Sequence, residues 1–197
     1  MSFVMKKYEF WDKLGGARLF VMDERERFMR KAIQCARRAE KAGEVPIGAV
    51  VVLEGKIIGR GYNRRLKKQL ASAHAEMMAI DAACRRLKSW RLPGAELYVT
   101  LEPCPMCMGA ALNARIDRVY FGAYEQKGRS LTNELAAANL LNHRTEVEGG
   151  ILQEECSALI TSFFSGLRER EKERKAEERQ AEAAAAAQEG GAGADNV

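Results

Sequence analysis

Apolar residues with helical spacing define the first element of the chain. From Phe28 to Ala39 they recur every three or four residues, and Gly43 follows the last of them. This period predicts a helix with one apolar face, and glycine is the residue most often found just after a helix ends. The segment Asp23-Glu24-Arg25-Glu26 has the pattern of a capping box and predicts where the helix begins.

Two runs rich in β-branched residues come next and predict a β-hairpin. They cover residues 47–53 and 56–61 and flank Glu54-Gly55, which is a turn sequence. The first run is almost wholly apolar, which indicates a central strand with both faces buried.

Strands also alternate with helices in the rest of the chain. Further strands are predicted at residues 96–101, 118–122 and 144–147, with helical periods between them and over residues 151–167. Such alternation indicates the α/β class. We therefore predict a three-layer α/β/α sandwich with a central mixed sheet of about five strands.

The composition fits one domain with appendages. The chain has 197 residues, of which 47% are hydrophobic and 30% are charged, enough to bury one core. No apolar run approaches the roughly 18 residues that cross a bilayer, so we expect a soluble protein. The net charge of +5 suits a polyanionic partner, although such a charge is also common among ordinary proteins.

The two ends of the chain differ from its middle. Residues 1–22 lack the continuous apolar core of a signal peptide, so we interpret them as an N-terminal extension. Residues 23–168 form the predicted domain. Residues 169–197 form a C-terminal tail that is first charged, as a solvated helix would be. From Ala183 the tail is rich in Ala and Gly, and there we expect disordered or frayed chain.

Two short motifs predict a metal site. They are His74-Ala75-Glu76 and Pro103-Cys104-Pro105-Met106-Cys107. A Cys-x-x-Cys pair at the start of a helix puts Cys104 and Cys107 on one face, and His74 adds a third ligand for zinc. Three protein ligands leave one coordination position open for water, as in catalytic zinc sites. Glu76 is close enough in sequence to move the protons of that water.

These motifs have other interpretations. A Cys-x-x-Cys pair also occurs in redox proteins and in structural zinc ribbons, and a lone histidine is more often a core or surface residue. The combination of His-x-Glu with Pro-Cys-x-x-Cys, however, is the signature of the zinc-dependent nucleobase deaminases. Cys35, Cys84 and Cys156 have apolar helical surroundings that indicate buried free thiols. An odd number of cysteines and a thiolate metal site indicate a reducing cytoplasm.

At these motifs the sequence resembles the cytidine and deoxycytidylate deaminase superfamily, and more closely the bacterial tRNA-specific adenosine deaminases. The resemblance runs from about Arg27 to about Phe164 and includes Val45-Pro46-Ile47-Gly48-Ala49 and Gly61-Tyr62-Asn63. The zinc motifs mark the superfamily. The segments Asn142-His143-Arg144 and Phe163-Phe164 are similar to elements of the tRNA enzymes.

The resemblance implies a cytidine deaminase-like fold and the hydrolytic deamination of adenosine to inosine at the wobble position, A34, of a tRNA anticodon. It implies one Zn²⁺ per subunit that activates water, with Glu76 as the proton shuttle. It also implies a tRNA anticodon arm as partner, a homodimer and a cytoplasmic location.

A set of substrate-binding residues follows from the same resemblance. Val45, Asn63 and the backbone of Ala75 would hold the adenine. Contacts to the flanking anticodon nucleotides or to the stem would come from Glu125, Lys127, Asn142, His143, Phe163, Phe164 and Arg168. Asn63 also has a plainer interpretation as a turn residue, and His143 as polar surface. Phe163 and Phe164 cannot both face inward on a helix, so we expect one exposed aromatic ring.

A basic segment precedes the histidine motif. Residues 62–70 contain Arg64, Arg65, Lys67 and Lys68. Such a segment either contacts phosphates or forms a solvated charge run.

Two rival functions stay open at this point. A deaminase of a free base or nucleotide, such as guanine or cytosine, would share the metal chemistry, because the shape of the pocket selects the base. A non-catalytic RNA-binding subunit would be a different class of protein. An intact Glu76 argues against it, since a scaffold needs no proton carrier.

Overall fold

A computed structural model of the chain describes residues 23–125, 132–138 and 143–191, with side chains as far as Glu182. Its helices are α1 (Glu24–Lys41), α2 (Arg65–Lys68), α3 (Ala75–Leu87), α4 (Pro105–Asn113), α5 (Thr132–Ala137) and α6 (Gln153–Gly191). Its strands are β1 (Gly48–Leu53), β2 (Lys56–Tyr62), β3 (Glu96–Leu101), β4 (Arg118–Ala123) and β5 (Glu146–Glu148).

The strands form one mixed sheet in the order β2-β1-β3-β4-β5. Strand β1 is antiparallel to both β2 and β3, whereas β4 and β5 continue the sheet in parallel. Glu54 and Gly55 turn the β1–β2 hairpin with φ angles of 49° and 71°, the left-handed conformation that such tight turns require. The predicted hairpin and the five-stranded mixed sheet are confirmed.

Helices cover both faces of this sheet. On one face, Ala49 and Val51 of β1 pack in the same core as Ala79 of α3 and Leu112 of α4. On the other face, Val50 of β1 packs with residues of α1, and α6 joins that layer. Alternate residues of a strand point to opposite faces, so the sequence of β1 fills both cores. The predicted three-layer α/β/α sandwich is confirmed.

Strand β2 and helix α3 lie unusually close together. A Cβ atom on Gly61 would lie 2.0 Å from the backbone oxygen of Ala75, and one on Gly59 would lie 2.2 Å from that of Ala79. Ala75, Ala79 and Ala83 are fully buried along the same face of α3. Because small residues meet at this contact, the N-terminus of α3 is held against the end of β2.

The structure defines the residues at which three of the helices begin. Ser72 is exposed in a turn, and His74, with extended backbone, is the N-cap residue of α3. Pro105 occupies the first turn of α4, directly after the N-cap residue Cys104. Asp23 caps α1 as predicted and accepts a hydrogen bond from the backbone N–H of Arg25 at 3.1 Å.

Helix α6 extends far beyond the sheet. The side chains from Leu167 to Glu182 are exposed, in agreement with the solvated helix predicted there. The helix continues to Gly191, where the sequence predicted frayed or disordered chain, and residues 192–197 lie outside the described part. Among the described residues, no helix is both long and apolar enough to cross a membrane.

Candidate metal centre and active site

The three predicted metal ligands meet in the structure. Nδ1 of His74 lies 3.7 Å from Sγ of Cys104 and 3.6 Å from Sγ of Cys107. All three candidate donor atoms lie within 4.8 Å of one another. The centre thus joins the start of α3 to the start of α4, although His74 and Cys104 are 30 residues apart in the chain.

The local backbone explains why these side chains are available for a ligand. His74 and Cys104 are both N-cap residues with extended backbone, and neither side chain caps its own helix. Cys107 follows in the first turn of α4. Two helix N-termini therefore face the same point, and the positive ends of their dipoles favour thiolate there.

The spacing of the donors fits a tetrahedral zinc ion. With Zn–S bonds near 2.3 Å and Zn–N bonds near 2.0 Å, the nitrogen-to-sulfur edge of the tetrahedron is about 3.6 Å. The observed distances of 3.6 and 3.7 Å match this edge when Nδ1 of His74 is the nitrogen donor. One imidazole and two thiolates also form a donor set that zinc accepts readily.

The three side chains of this cluster have pKa values shifted in different directions. A hydrogen bond from Cys107, followed by one from His74, lowers the pKa of Cys104 to about 4. The same contact with Cys104 raises the pKa of Cys107, and the hydrogen bond to Cys104 raises the pKa of His74. Of the two thiols, Cys104 therefore loses its proton more readily.

Glu76 lies beside the cluster and is almost completely buried, with 4% of its surface exposed. Burial is the main reason that its pKa is raised, and a hydrogen bond from its own backbone N–H and the charge of His74 oppose that rise. A buried carboxyl group in contact with a metal-ligating side chain is well placed to take up and release a proton.

The residues predicted to hold the base also come together at this end of the sheet. Asn63 is buried at the end of β2, and its backbone N–H donates to the oxygen of Ile47 at 3.0 Å. The next N–H, of Arg64, donates to the oxygen of Ala73 at 3.0 Å. Asn63 is therefore tied to the loop that contains Val45 and, through its neighbour Arg64, to the residue before His74.

The basic segment borders the same site. It contains the short helix α2, and Arg65, Lys67 and Lys68 are exposed. The positive charge of Arg65 acts to lower the pKa of His74, against the larger effect of Cys104. Arg65 is therefore close enough to the metal centre to affect a ligand electrostatically.

The residues from the second half of the chain that are expected to contact RNA lie in different surroundings. Glu125 is exposed and its backbone N–H donates to Oε2 of Glu102. Nε2 of His143 lies 2.8 Å from the backbone oxygen of Ile116, so the imidazole ring is held by the backbone of a buried residue. Lys127 and Asn142 lie outside the described residues.

The aromatic pair on α6 is only partly exposed. Phe163 and Phe164 are both half-buried and meet edge to face, with ring centroids 5.6 Å apart. The sequence predicted one exposed ring, but the two rings partly cover each other. Arg168 is exposed, and its guanidinium donates to Oγ of Ser165 at 3.0 Å.

Sequence reasoning missed a group of buried polar residues that support the site. Glu44 accepts hydrogen bonds from three groups around α2, Oγ1 of Thr100 accepts from the N–H of Gly48, and Oγ1 of Thr132 donates to the oxygen of Pro103. Glu44 could have been identified from its position between Gly43 and the apolar run that starts at Val45, because an acidic residue there lies at the edge of the core.

Comparison with known proteins places this centre in a family. The family model of the cytidine and deoxycytidylate deaminase zinc-binding region matches residues 22–123. The chain is 49% identical over 154 residues to a tRNA-specific adenosine deaminase of Bacillus subtilis (strain 168), which covers 77% of this chain and 95% of that protein. It is 42% identical over 155 residues to the tRNA-specific adenosine deaminase of Streptococcus pyogenes serotype M18 (strain MGAS8232), covering 78% of this chain and 98% of the relative.

A solved structure agrees with these sequence matches. It comes from studies of A-to-I editing by tRNA:A34 deaminases at the wobble position of transfer RNA. The two chains share 42% identity with a TM-score of 0.63, over 68% of this chain and 98% of the other. With its metal-binding triad and these matches, the chain belongs to the cytidine and deoxycytidylate deaminase family of zinc enzymes.

Proposed function

We propose that the protein deaminates adenosine to inosine at position A34 of a tRNA anticodon. The observation that carries this proposal is the triangle of His74, Cys104 and Cys107 with buried Glu76 beside it. The identity of 49% with a tRNA-specific adenosine deaminase over most of both chains supports the choice of substrate. The overall reaction consumes one water and releases ammonia.

His74, Cys104 and Cys107 hold one zinc ion per subunit in this proposal. When bound, zinc supplies the Lewis acidity that lets water attack the amidine carbon C6 of adenine near neutral pH. Three protein donors leave a coordination position for that chemistry.

Glu76 is the proton carrier. Its carboxylate accepts a proton from the attacking water and delivers it to the ring nitrogen beside C6. It then carries the second proton to the departing amine, which leaves as ammonia. Its position in the first turn of α3 supports this role, because it adjoins the ligands without being one of them.

The adenine lies between the loop before β1 and the start of α3. Val45 and the backbone of Ala75 contact the base, and the amide of Asn63 forms hydrogen bonds with it. A base reaches such a buried centre only after it leaves its stack, so a single-stranded loop is a better substrate than a duplex.

The RNA surface extends from this pocket in both directions. The basic segment with Arg64, Arg65, Lys67 and Lys68 contacts phosphates. The nucleotides around A34 or the stem contact Glu125, Lys127, Asn142, His143, Phe163, Phe164 and Arg168. We further propose that residues 23–168 act as the deaminase domain of a cytoplasmic homodimer, with residues 1–22 and 169–197 as extensions.

One assay separates this function from its rivals. Purified protein is incubated with an anticodon stem-loop bearing A34, with the same stem-loop bearing G34, and with free adenosine, guanine and cytosine. Mass spectrometry detects inosine and the other products, and elemental analysis measures zinc. We expect inosine from the A34 stem-loop and zinc near one equivalent. Turnover of a free base without turnover of the stem-loop would favour a base deaminase, and stem-loop binding without turnover would favour a non-catalytic subunit.

A further inference from the structure

The carboxylate of Glu44 joins three parts of the candidate site. It lies between α1 and β1 with 1% of its surface exposed. Its Oε1 accepts the backbone N–H of Lys67 at 2.8 Å, and its Oε2 accepts that of Leu66 at 3.2 Å. Nδ2 of Asn63 lies 3.4 Å from the same Oε2.

Two of these contacts hold the basic segment in place. Arg64 is the N-cap residue of α2 and makes no side-chain capping bond. Glu44 supplies the missing acceptor from a distant part of the chain, since a helix leaves its first N–H groups without partners in the helix itself. A buried carboxylate is costly unless it is hydrogen-bonded, and these two N–H groups offset that cost.

The third contact determines how the amide of Asn63 is oriented. Both oxygens of Glu44 accept backbone N–H groups. Because a carboxylate oxygen can only accept hydrogen bonds, the NH₂ group of the Asn63 amide is favoured next to it over the amide oxygen. Nδ2 therefore faces Glu44, and the carbonyl oxygen Oδ1 lies on the opposite side of the amide. A flipped amide would bring Oδ1 against the carboxylate.

Asn63 is also the residue that links Glu44 to the metal centre. The backbone of Asn63 is tied to Ile47, and that of Arg64 is tied to Ala73, immediately before His74. The orientation of its amide thus decides which hydrogen-bonding groups this buried side chain presents at the end of β2.

From this geometry we infer that Glu44 is a positioning residue for substrate recognition that acts through Asn63. It holds the amide so that Oδ1 and the second N–H of Nδ2 are available to the target base. It does not touch the reacting atoms. The inference rests on the proposed function in that it takes the amide of Asn63 to bind the adenine.

A double-mutant cycle tests this role. The kcat/KM for the A34 stem-loop is measured for the wild type, Glu44→Gln, Asn63→Ala and the double variant. Glutamine keeps the size of the side chain but places an NH₂ group in the cluster, which allows the Asn63 amide to turn over. We expect Glu44→Gln to lower kcat/KM about tenfold, with KM changing more than kcat.

The double variant decides whether Glu44 acts through Asn63. We expect Glu44→Gln to change kcat/KM by less than about twofold once Asn63 is already alanine. Arg168 lies on α6. When Glu44→Gln is combined with Arg168→Ala, the two losses in kcat/KM should multiply. Losses that multiply in the Asn63→Ala background, or a fall in kcat alone, would overturn the inference.

A second measurement needs no substrate and keeps the inference testable if Glu44→Gln alone fails to fold. Asn63→Asp places a carboxylate against Glu44 and should lower Tm. Adding Glu44→Gln to that variant should recover most of the loss, because the glutamine amide can donate to the aspartate. An unrecovered Tm would contradict the inference. If the double variant shows this recovery but the folded wild type makes no inosine, the proposed function would be contradicted instead.

Discussion

Gly61 and Ala75 are in direct contact through their backbones, since a Cβ atom on Gly61 would lie 2.0 Å from the oxygen of Ala75. This contact packs the end of β2 against Ala75, the first residue of α3, which lies between His74 and Glu76 in the sequence. The geometry of the metal centre therefore depends on a position that contributes no side chain to it.

The first prediction concerns this contact. Gly61→Ala should lower the free energy of unfolding by about 1–3 kcal/mol, because the added methyl group must displace α3. It should also reduce the zinc content. Gly109→Ala is the control, since a Cβ on this helical glycine would meet nothing within 4 Å, and it should stabilise by about 0.5–1 kcal/mol. Chemical denaturation measures the free energy of unfolding of both variants. Equal values for Gly61→Ala and Gly109→Ala would contradict the proposed packing effect.

The second prediction concerns Glu76. Glu76→Ala should retain zinc and the fold but lose about 10²–10⁴-fold in turnover, since it removes a proton carrier and no ligand. Inosine formation, zinc content and Tm are measured together. Asp81→Ala, an exposed substitution on the same helix, should leave turnover unchanged. Near-normal turnover of Glu76→Ala would refute the mechanism.

The third prediction concerns the metal ligands. His74→Ala and Cys107→Ala should lose zinc and activity, because two remaining protein donors do not hold the ion in place. Cys84→Ala, on α3 and outside the donor cluster, should retain both. Elemental analysis and assay of the purified variants provide the measurement. A Cys107→Ala protein that is active and fully loaded with zinc would remove this residue from the ligand set.

The fourth prediction separates a tRNA substrate from a free nucleoside. Binding of the anticodon stem-loop should weaken as salt rises, because phosphate contacts release counterions. Phe164→Ala or Arg168→Ala should raise KM by a factor equivalent to about 1–3 kcal/mol if a base stacks there, with a smaller change in the single-turnover rate.

Arg174→Ala is the matched control for these substitutions. Arg174 lies further along α6, exposed and paired with Glu171 and Glu178, so its replacement should leave KM unchanged. An affinity that does not depend on salt would contradict an RNA substrate.

The fifth prediction concerns the C-terminal tail. Deletion of residues 183–197 should leave Tm and activity unchanged, because the side chains that precede it from Leu167 onward are already exposed and an Ala/Gly-rich segment has little to bury. Differential scanning calorimetry and the inosine assay check this. A fall of several degrees would show that the tail is docked on the domain.

Local sequence patterns were sufficient to predict much of this protein. The run from Phe28 to Ala39 and the hairpin at Glu54-Gly55 depend on spacing and turn preference within a few residues. Cys104, the N-cap residue of α4, and Cys107, in its first turn, come together for the same local reason. The sheet class and the zinc motif could therefore be predicted from the sequence, whereas the role of Glu76 follows from the family resemblance and stays a prediction.

Other features depended on how distant segments pack. Three contacts join segments that are far apart in the sequence. His74 contacts Cys104, Glu44 accepts hydrogen bonds from α2, and His143 contacts the backbone of Ile116. The period of a segment specifies which face is apolar, but it does not specify what that face meets, so only the tertiary structure could show how these polar groups are brought together.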